Sequence, residues 1–184
     1  TQFASSAASD VYKRQGDVKV MKSDHEEAAP GELGEIWMRG ASVTPGYWNR
    51  PDATEEAFAG DWLKSGDIGR RDETGRLSVE DRIKDMYISG GENVYPAEVE
   101  SILMSHSDIR EVAIIGVADQ KWGEVGCAII ATISGEALEL SAVHALCEAN
   151  LARFKWPQHV VMTDALPRNS TGKVQKFLLR QQHC

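Results

Sequence analysis

VAIIGVADQKWGEVGCAIIATI, the stretch formed by residues 112–133, contains two apolar runs separated by a short polar segment. The first run extends from Val112 to Val117 and the second from Val125 to Ile133. Both runs have the length and the β-branched content that are typical of buried strands. We therefore predict two buried strands here, with further elements on either side of them along the chain.

Amphipathic segments flank the two predicted strands. Pro96 stands at a first helical position and is followed by apolar residues on one face, which predicts a helix. Ser141 is the predicted N-cap of a second helix with apolar residues at helical spacing. A last helix over residues 175–182 is expected to pack Phe177 and Leu178. The sequence thus predicts about three helices around the strands.

A short predicted strand near residues 160–162 completes this half of the chain. The resulting order is β–α–β–β–α–β–α over roughly 100 residues, which suits a small α+β domain able to fold alone. We expect a mixed sheet covered by the helices. The predicted domain comprises residues 82–184, with its boundary in the charged segment Arg82 to Asp85.

The preceding part of the chain is rich in predicted strands. Residues 63–70 and 77–79 flank Asp72-Glu73-Thr74-Gly75, a good hairpin turn, and residues 52–58 read as one or two helical turns. The strands are few and have edges that require neighbours, so residues 16–81 are expected to be a fragment of a larger domain. Residues 1–15 show neither helical nor strand periodicity, and we expect them to be disordered or foreign to the fold.

Composition narrows the class of protein. With 42% hydrophobic and 26% charged residues, the 184-residue chain falls in the ordinary globular class. No apolar run approaches the ~18 residues needed to span a bilayer, and a cytoplasmic location is expected. The net charge of −8 argues against a nucleic-acid-binding surface, although a local cluster of Lys and Arg could still bind an anionic nucleotide. Cys127, Cys147 and Cys184 form no C-x-x-C pair and are expected to be reduced.

The segment Leu63-Lys64-Ser65-Gly66-Asp67 places a carboxylate directly after a glycine in a predicted strand. A short acid held in this way can accept hydrogen bonds from both hydroxyls of a ribose. A plain turn aspartate is the alternative interpretation of Asp67. The motif alone does not separate the two.

A charged segment, Asp81 to Asp85, precedes Ser89-Gly90-Gly91-Glu92-Asn93. Dense charge between two folded parts is usual for a solvated linker, which is the alternative to a functional interpretation. The two glycines would let the backbone approach a ligand closely, because no Cβ intervenes.

The segment Pro167 to Lys173, PRNSTGK, ends in a Gly-Lys pair on a predicted flexible loop. A lysine at this place can neutralise charge on a phosphate or a carboxylate. The segment is not a P-loop, because the first glycine of that motif is missing and no helix is predicted to open directly after it. An ordinary surface loop is the alternative.

Taken together, the order and spacing of these segments resemble the ANL superfamily of acyl-CoA synthetases, peptide-synthetase adenylation domains and firefly-type luciferases. The resemblance covers about residues 31–180 and includes Gly31 to Glu35, Gly46-Tyr47-Trp48 and the motifs above. Within the superfamily, residues 89–96 and the stretch from Gly116 to Glu124 look most like fatty-acyl-CoA synthetases. By this resemblance, residues 16–81 correspond to the end of the large AMP-binding domain. Residues 82–184 correspond to the C-terminal lid domain of the same enzyme.

The resemblance implies a two-step reaction. A carboxylate attacks ATP to give an acyl-adenylate and diphosphate, and the thiolate of coenzyme A then displaces AMP. Asp67 would hold the ribose hydroxyls with Arg82 beside it, and Lys173 would bridge the substrate carboxylate and the nucleotide. Lys84 matches the hinge about which the small domain turns between the two steps.

In the second step the resemblance assigns Ser89, Gly90 and Gly91 to the path of the pantetheine arm of coenzyme A. The phosphate-binding loop, the magnesium motif and the acyl pocket of the family lie upstream of the matched residues, so Mg²⁺ is expected to have its ligands outside this chain. The expected partners are a carboxylic acid, ATP, coenzyme A and the missing N-terminal domain of the same enzyme. The alternatives are an enzyme that loads a carrier protein, a luciferase-like oxygenase, and an inactive fragment that only binds nucleotide or a partner domain.

Overall fold

The computed structural model describes residues 16–183. The prediction of disorder for residues 1–15 therefore lies outside the described residues. The chain divides into two compact units, one ending at Ile83 and the other beginning at Lys84. Within the described residues, no helix is both long and apolar enough to cross a membrane.

The first unit is a six-stranded antiparallel sheet. Its elements are, in chain order, β1 (Asp17–Ser23), β2 (Glu26–Glu27), β3 (Gly34–Arg39), helix α1 (Pro51–Ala57), β4 (Phe58–Ala59), β5 (Trp62–Arg71) and β6 (Leu77–Arg82). The long strand β5 pairs with β3 along one edge, while β4 and β6 pair with different parts of its other edge. The predicted hairpin is confirmed, since β5 and β6 are antiparallel and Asp72 Oδ1 accepts hydrogen bonds from the backbone of Thr74 and Arg76.

The second unit combines a five-stranded sheet with three α-helices, and the predicted α+β class is confirmed. Its elements are β7 (Tyr87–Ser89), β8 (Glu92–Val94), α2 (Pro96–Leu103), β9 (Ile109–Asp119), β10 (Gly123–Thr132), α3 (Leu140–Glu148), a 3₁₀ turn (Arg153–Lys155), β11 (His159–Met162) and α4 (Lys176–His183). The sheet is mixed, because β10 pairs with β11 in parallel and with β9 and β7 in antiparallel fashion.

Both faces of this sheet are covered, which explains the two apolar runs. Ile114, Ala128 and Ile130 pack with residues of α2 and α3 on one face. Alternate residues of the same strands, including Ile115 and Ile129, pack with a second cluster that contains Leu166 and Leu179 of α4. Because successive side chains of a strand point to opposite faces, a strand buried on both faces is apolar throughout.

Two details of the predicted helices are wrong. Helix α3 begins at Leu140 after Glu139, so Ser141 lies inside its first turn and caps nothing. Helix α4 buries Leu179, which is 2% exposed, whereas Phe177 is 52% exposed. These two residues are two positions apart and therefore about 200° apart around a helix, so only one of them can face the sheet.

Candidate functional site

Asp67 and Arg82 are in contact. They are directly opposite each other on β5 and β6, and Arg82 Nε lies 2.9 Å from Asp67 Oδ1. The two side chains stay accessible, at 36% for Asp67 and 65% for Arg82. The pair therefore presents an acceptor and a fork of donors to solvent at the last strand of the first unit.

The backbone around Asp67 is held by neighbouring strands. Gly66 has φ 74°, and its N–H donates to Glu35 Oε1 on β3 at 2.9 Å. The carbonyl of Gly66 accepts from the N–H of Ile83 at 2.9 Å, and Ser65 Oγ accepts from the N–H of Asp67 at 3.0 Å. A positive φ favours glycine at position 66, and these bonds fix the direction in which Asp67 leaves the strand.

Lys84 lies between two anchored residues. Ile83 is bonded to Gly66 within the first unit, and Asp85 is paired with Arg180 of α4 within the second unit, with 3.0 Å between Arg180 Nη2 and Asp85 Oδ1. Lys84 itself is exposed. Lys84 is thus flanked by one residue that is bonded within the first unit and one that is bonded within the second.

Gly90 and Gly91 form the two-residue turn of the β7–β8 hairpin. Ser89 pairs with Glu92 across the turn, and the two glycines have φ 61° and 89°. Positive φ at both central positions is the geometry of a type I′ turn, which glycine adopts readily. A Cβ on Gly90 would lie 2.9 Å from the indole of Trp122, and the N–H of Gly90 donates to the carbonyl of Trp122 at 2.8 Å.

A cavity of about 410 Å³ lies beside this turn, within the range usual for small-molecule sites. The cavity is lined by the hairpin, by the β9–β10 turn and the start of β10, and by the segment from the 3₁₀ turn to β11. The lining residues are Ser89, Gly90, Glu92, Trp122, Val125, Arg153, Phe154 and Gln158. Sequence analysis singled out Ser89 and Gly90 but missed Arg153, Phe154 and Gln158. The RFK segment that carries two of them has neither a glycine nor a recognisable motif, so sequence carried no signal for their position.

The loop that carries Lys173 is a tight turn folded by Asn169. The Oδ1 of Asn169 accepts from the N–H of Thr171 at 3.1 Å, from Thr171 Oγ1 at 2.8 Å and from the N–H of Lys173 at 2.9 Å. Gly172 has φ 83°, and its N–H donates to the carbonyl of Asn169 at 2.9 Å. Lys173 is exposed, and within residues 16–183 its Nζ has no ion-pair partner. A loop of this kind presents a solvated ammonium group on an ordered backbone.

The structure groups the candidate residues in part. Asp67 and Arg82 meet in the first unit, while Ser89 and Gly90 line one cavity in the second. Lys173 does not line that cavity. Within the described residues, no group of three or more His, Cys, Asp or Glu side chains could hold a metal ion.

Comparison with known proteins defines the class to which this geometry belongs. Residues 98–173 match the family described as the AMP-binding enzyme C-terminal domain. The similarity of the chain to solved and curated proteins is to the C-terminal portion of acyl-CoA synthetases of the ANL superfamily. The resemblance inferred from sequence is thereby confirmed.

Individual relatives are CoA ligases of different acids. The chain is 46% identical over 167 residues to a long-chain-fatty-acid–CoA ligase of Mycobacterium tuberculosis, a match that covers 91% of the chain and 33% of the relative. It is 44% identical over 161 residues to a 2-succinylbenzoate–CoA ligase of Geobacillus, with 88% of the chain and 33% of the relative covered. The chain thus spans about a third of the length of the curated relatives it matches.

Solved structures share the fold. The o-succinylbenzoate CoA synthetase of Bacillus subtilis, in complex with its acyl-adenylate intermediate, superposes with a TM-score of 0.81 at 39% identity, covering 91% of this chain and 33% of that one. ATP-bound MatB of Rhodopseudomonas palustris superposes with a TM-score of 0.86 at 34% identity, covering 92% and 34%.

Proposed function

We propose that the chain is the C-terminal part of an ATP-dependent, AMP-forming acid–CoA ligase. The complete enzyme would convert a carboxylic acid, ATP and coenzyme A into acyl-CoA, AMP and diphosphate through an acyl-adenylate. The observation that carries the proposal is the similarity to CoA ligases along both units, which reaches 91% of the chain. Residues 16–81 would belong to the large AMP-binding domain and residues 82–184 to the lid domain.

Asp67 and Arg82 are proposed to bind the nucleotide. Arg82 Nε donates a hydrogen bond to Oδ1 of Asp67 at 2.9 Å. The second carboxylate oxygen of Asp67 can accept a hydrogen bond from a hydroxyl of the ribose. Arg82 has further N–H donors at a side chain that is 65% exposed. The pair would therefore fix the ribose by hydrogen bonds that an apolar surface could not supply.

Lys173 is proposed as the catalytic residue of adenylation. When a carboxylate meets the α-phosphate of ATP, two anions approach each other, and an ammonium group between them lowers the barrier electrostatically. The ordered turn around Asn169 suits this role, as does the Nζ of Lys173, which has no ion-pair partner among residues 16–183. The lysine would act on the nucleotide and on the acid but not on the thiol.

Lys84 is proposed as the hinge between the two half-reactions, and Ser89, Gly90 and Gly91 as part of the pantetheine path. The cavity beside Gly90, with Trp122 and Phe154 in its walls, supports a path for a long, uncharged arm. Few-residue hinges absorb the dihedral change of such domain rotations. ATP and coenzyme A are accordingly the proposed cofactors, and Mg²⁺ would take its ligands from the part of the enzyme outside this chain.

The acid is proposed to be a fatty acid. The match to a long-chain-fatty-acid–CoA ligase supports this choice, while the other relatives act on 2-succinylbenzoate, indoleacetate or ferulate by their names. The class common to all of them is a carboxylic acid. A carrier protein in place of coenzyme A remains the alternative acceptor.

A hybrid enzyme tests the proposal. It joins the part of the Mycobacterium tuberculosis ligase that precedes the matched region to residues 16–184 of this chain. Pyrophosphate exchange with a long-chain fatty acid measures adenylation, and acyl-CoA formation from supplied acyl-adenylate measures thiolation. We expect both half-reactions in the hybrid.

Lys173→Ala in the hybrid should lower adenylation by about 10²- to 10³-fold, as removal of a preorganised charged or polar group typically does. Thiolation should change little. Lys22→Ala is the matched control, because it removes an exposed lysine of the first unit that is far from Lys173 in sequence. This variant should alter neither rate. Adenylation without transfer to coenzyme A would instead favour the carrier-protein alternative, and a Lys173→Ala hybrid with the unaltered adenylation rate would contradict the proposed role.

A further inference from the structure

Glu111 lies near the start of β9 and holds the segment that leads into the Lys173 loop. Its Oε2 accepts from the N–H of Leu166 at 3.1 Å, and its Oε1 accepts from Nη2 of Arg168 at 2.6 Å and from Nε at 3.2 Å. The Glu111 side chain is only 20% exposed. These hydrogen bonds keep the pKa of Glu111 below its ordinary value, the one from Leu166 contributing most, so the carboxylate is charged near neutral pH.

Arg168 extends this attachment across the loop. Its third nitrogen, Nη1, donates to the carbonyl of Gly172 at 2.7 Å. The two ends of the loop are also joined, since Arg168 pairs with Val174 and the N–H of Gln175 donates to the carbonyl of Pro167 at 2.8 Å. One guanidinium therefore connects a strand of the sheet to the residue directly before Lys173.

Asn169 and Glu111 stabilise this loop in different ways. The hydrogen bonds of Asn169 stay inside the turn and fold it locally. Glu111 lies on β9 and accepts from Arg168, which follows it by 57 residues in sequence, so its hydrogen bonds fix the turn relative to the sheet. Nε and Nη2 of Arg168 both donate to the same oxygen, Oε1, and such charge-assisted hydrogen bonds are stronger than those between neutral groups.

We propose that Glu111 is a positioning residue for Lys173 and acts through Arg168. The inference rests on the proposed role of Lys173 in adenylation and adds the device that aims this lysine. Glu111 does not touch substrate in this scheme. It sets where the carbonyl of Gly172, and with it the backbone of Lys173, lies relative to the sheet.

The variant Glu111→Gln removes the charge and keeps the shape. The amide oxygen can still accept a hydrogen bond from the N–H of Leu166. The hydrogen bonds from Arg168 to residue 111 are weakened, because the carboxylate charge is lost. A displacement of about 1 Å at a catalytic group can cost up to 10²-fold in rate, so we expect adenylation to fall about ten- to a hundredfold. Arg168→Lys keeps a cation for Glu111 but loses the fork that also reaches Gly172, and its loss should be intermediate.

Hydrogen exchange on the 184-residue chain tests the attachment without any activity. The N–H groups of Gly172 and Lys173 are bonded inside the turn, and we expect their exchange to accelerate about tenfold in Glu111→Gln while that of the β10 core stays unchanged. Asp108→Asn is the matched control, because Asp108 likewise accepts from a backbone N–H and a side chain, but from Ser134. Unchanged exchange in the loop of Glu111→Gln would overturn the proposal.

A double-mutant cycle in the hybrid enzyme tests the function. Glu111→Gln should slow adenylation and spare thiolation, and in the Lys173→Ala background it should slow adenylation no further. Equal losses in both half-reactions, or additive losses in the double variant, would assign Glu111 a merely structural role. If Lys173→Ala leaves adenylation unchanged, the proposed function fails, while the exchange result still decides whether Glu111 holds the loop.

Discussion

The contact between Gly126 and the hydroxyl of Tyr87 gives the sharpest stability prediction for this fold. Tyr87 is 2% exposed, and among the described residues its hydroxyl has no hydrogen-bond partner. A Cβ built on Gly126 would lie 2.5 Å from that oxygen, 3.3 Å from Pro157 Cα and 3.4 Å from Tyr87 Cζ. If the hydroxyl oxygen of Tyr87 is removed, the Cβ at position 126 keeps only the contacts with Pro157 Cα and Tyr87 Cζ. Small shifts of these atoms can relieve both contacts.

Gly126→Ala alone should lower the free energy of unfolding of the second unit by about 2–3 kcal/mol, the upper part of the range for an overpacked core. Tyr87→Phe alone should raise it by about 1 kcal/mol, because a buried hydroxyl without a partner costs about 1–3 kcal/mol. In the double variant, Gly126→Ala should cost at least about 1 kcal/mol less than it does alone.

Hydrogen exchange of the buried β10 amides, measured under native conditions, reports this free energy for the second unit by itself. A change of about 1.4 kcal/mol appears as a tenfold change in exchange rate. Gly116→Ala is the control, since its Cβ would meet Cβ and Cγ of Tyr87, atoms that phenylalanine retains. The reasoning is refuted if Tyr87→Phe rescues Gly116→Ala as well as Gly126→Ala, or rescues neither.

Three further predictions concern pH, the hinge and the isolated chain. Burial raises the pKa of the Tyr87 hydroxyl above its ordinary value, so the unfolded chain loses this proton first. The contribution of this hydroxyl to the stability of the second unit should therefore be constant below about pH 10 and should fall above it. Urea unfolding at several pH values should show a less steep alkaline loss of stability in Tyr87→Phe. Lys84→Pro restricts φ at the proposed hinge and should spare adenylation in the hybrid while slowing thiolation. Single-turnover kinetics of both steps would contradict the hinge role if the two rates changed weakly and equally. The chain alone should show no pyrophosphate exchange with any fatty acid, because it spans about a third of its relatives' length, and robust exchange at millimolar ATP would disprove this.

Local sequence pattern was enough to predict the two central strands and the three helices of the second unit, but it predicted one strand before α2 where the structure has the β7–β8 hairpin. The apolar runs at 112–117 and 125–133 became β9 and β10, and Pro96 begins α2 as expected. These predictions succeed because side-chain period and proline geometry act within a few residues. The errors at Ser141 and Phe177 concern where a short helix begins and which of its faces is buried. Both depend on how the helix packs against the sheet, which a local pattern does not specify.

The motif sequences also predicted which residues to consider, namely Asp67, Arg82, Lys84, Ser89, Gly90, Gly91 and Lys173. Their proposed roles stay predictions. Their surroundings could not be predicted, because each depends on strand register or on chain segments far apart in sequence. Asp67 meets Arg82 only because β5 and β6 pair in one register, and a shift by one residue would send Arg82 to the other face.

Sequence by itself thus indicated the class of protein, the two central strands and three helices of the second unit, and the glycines that its turns require. Tertiary structure alone decided that Trp122 covers Gly90, that Tyr87 occupies the space left by Gly116 and Gly126, and that Glu111 reaches Arg168. The physical reason is that propensity and periodicity are local, whereas a long-range contact forms only when the packing of the whole unit repays the entropy of closing the chain between its partners.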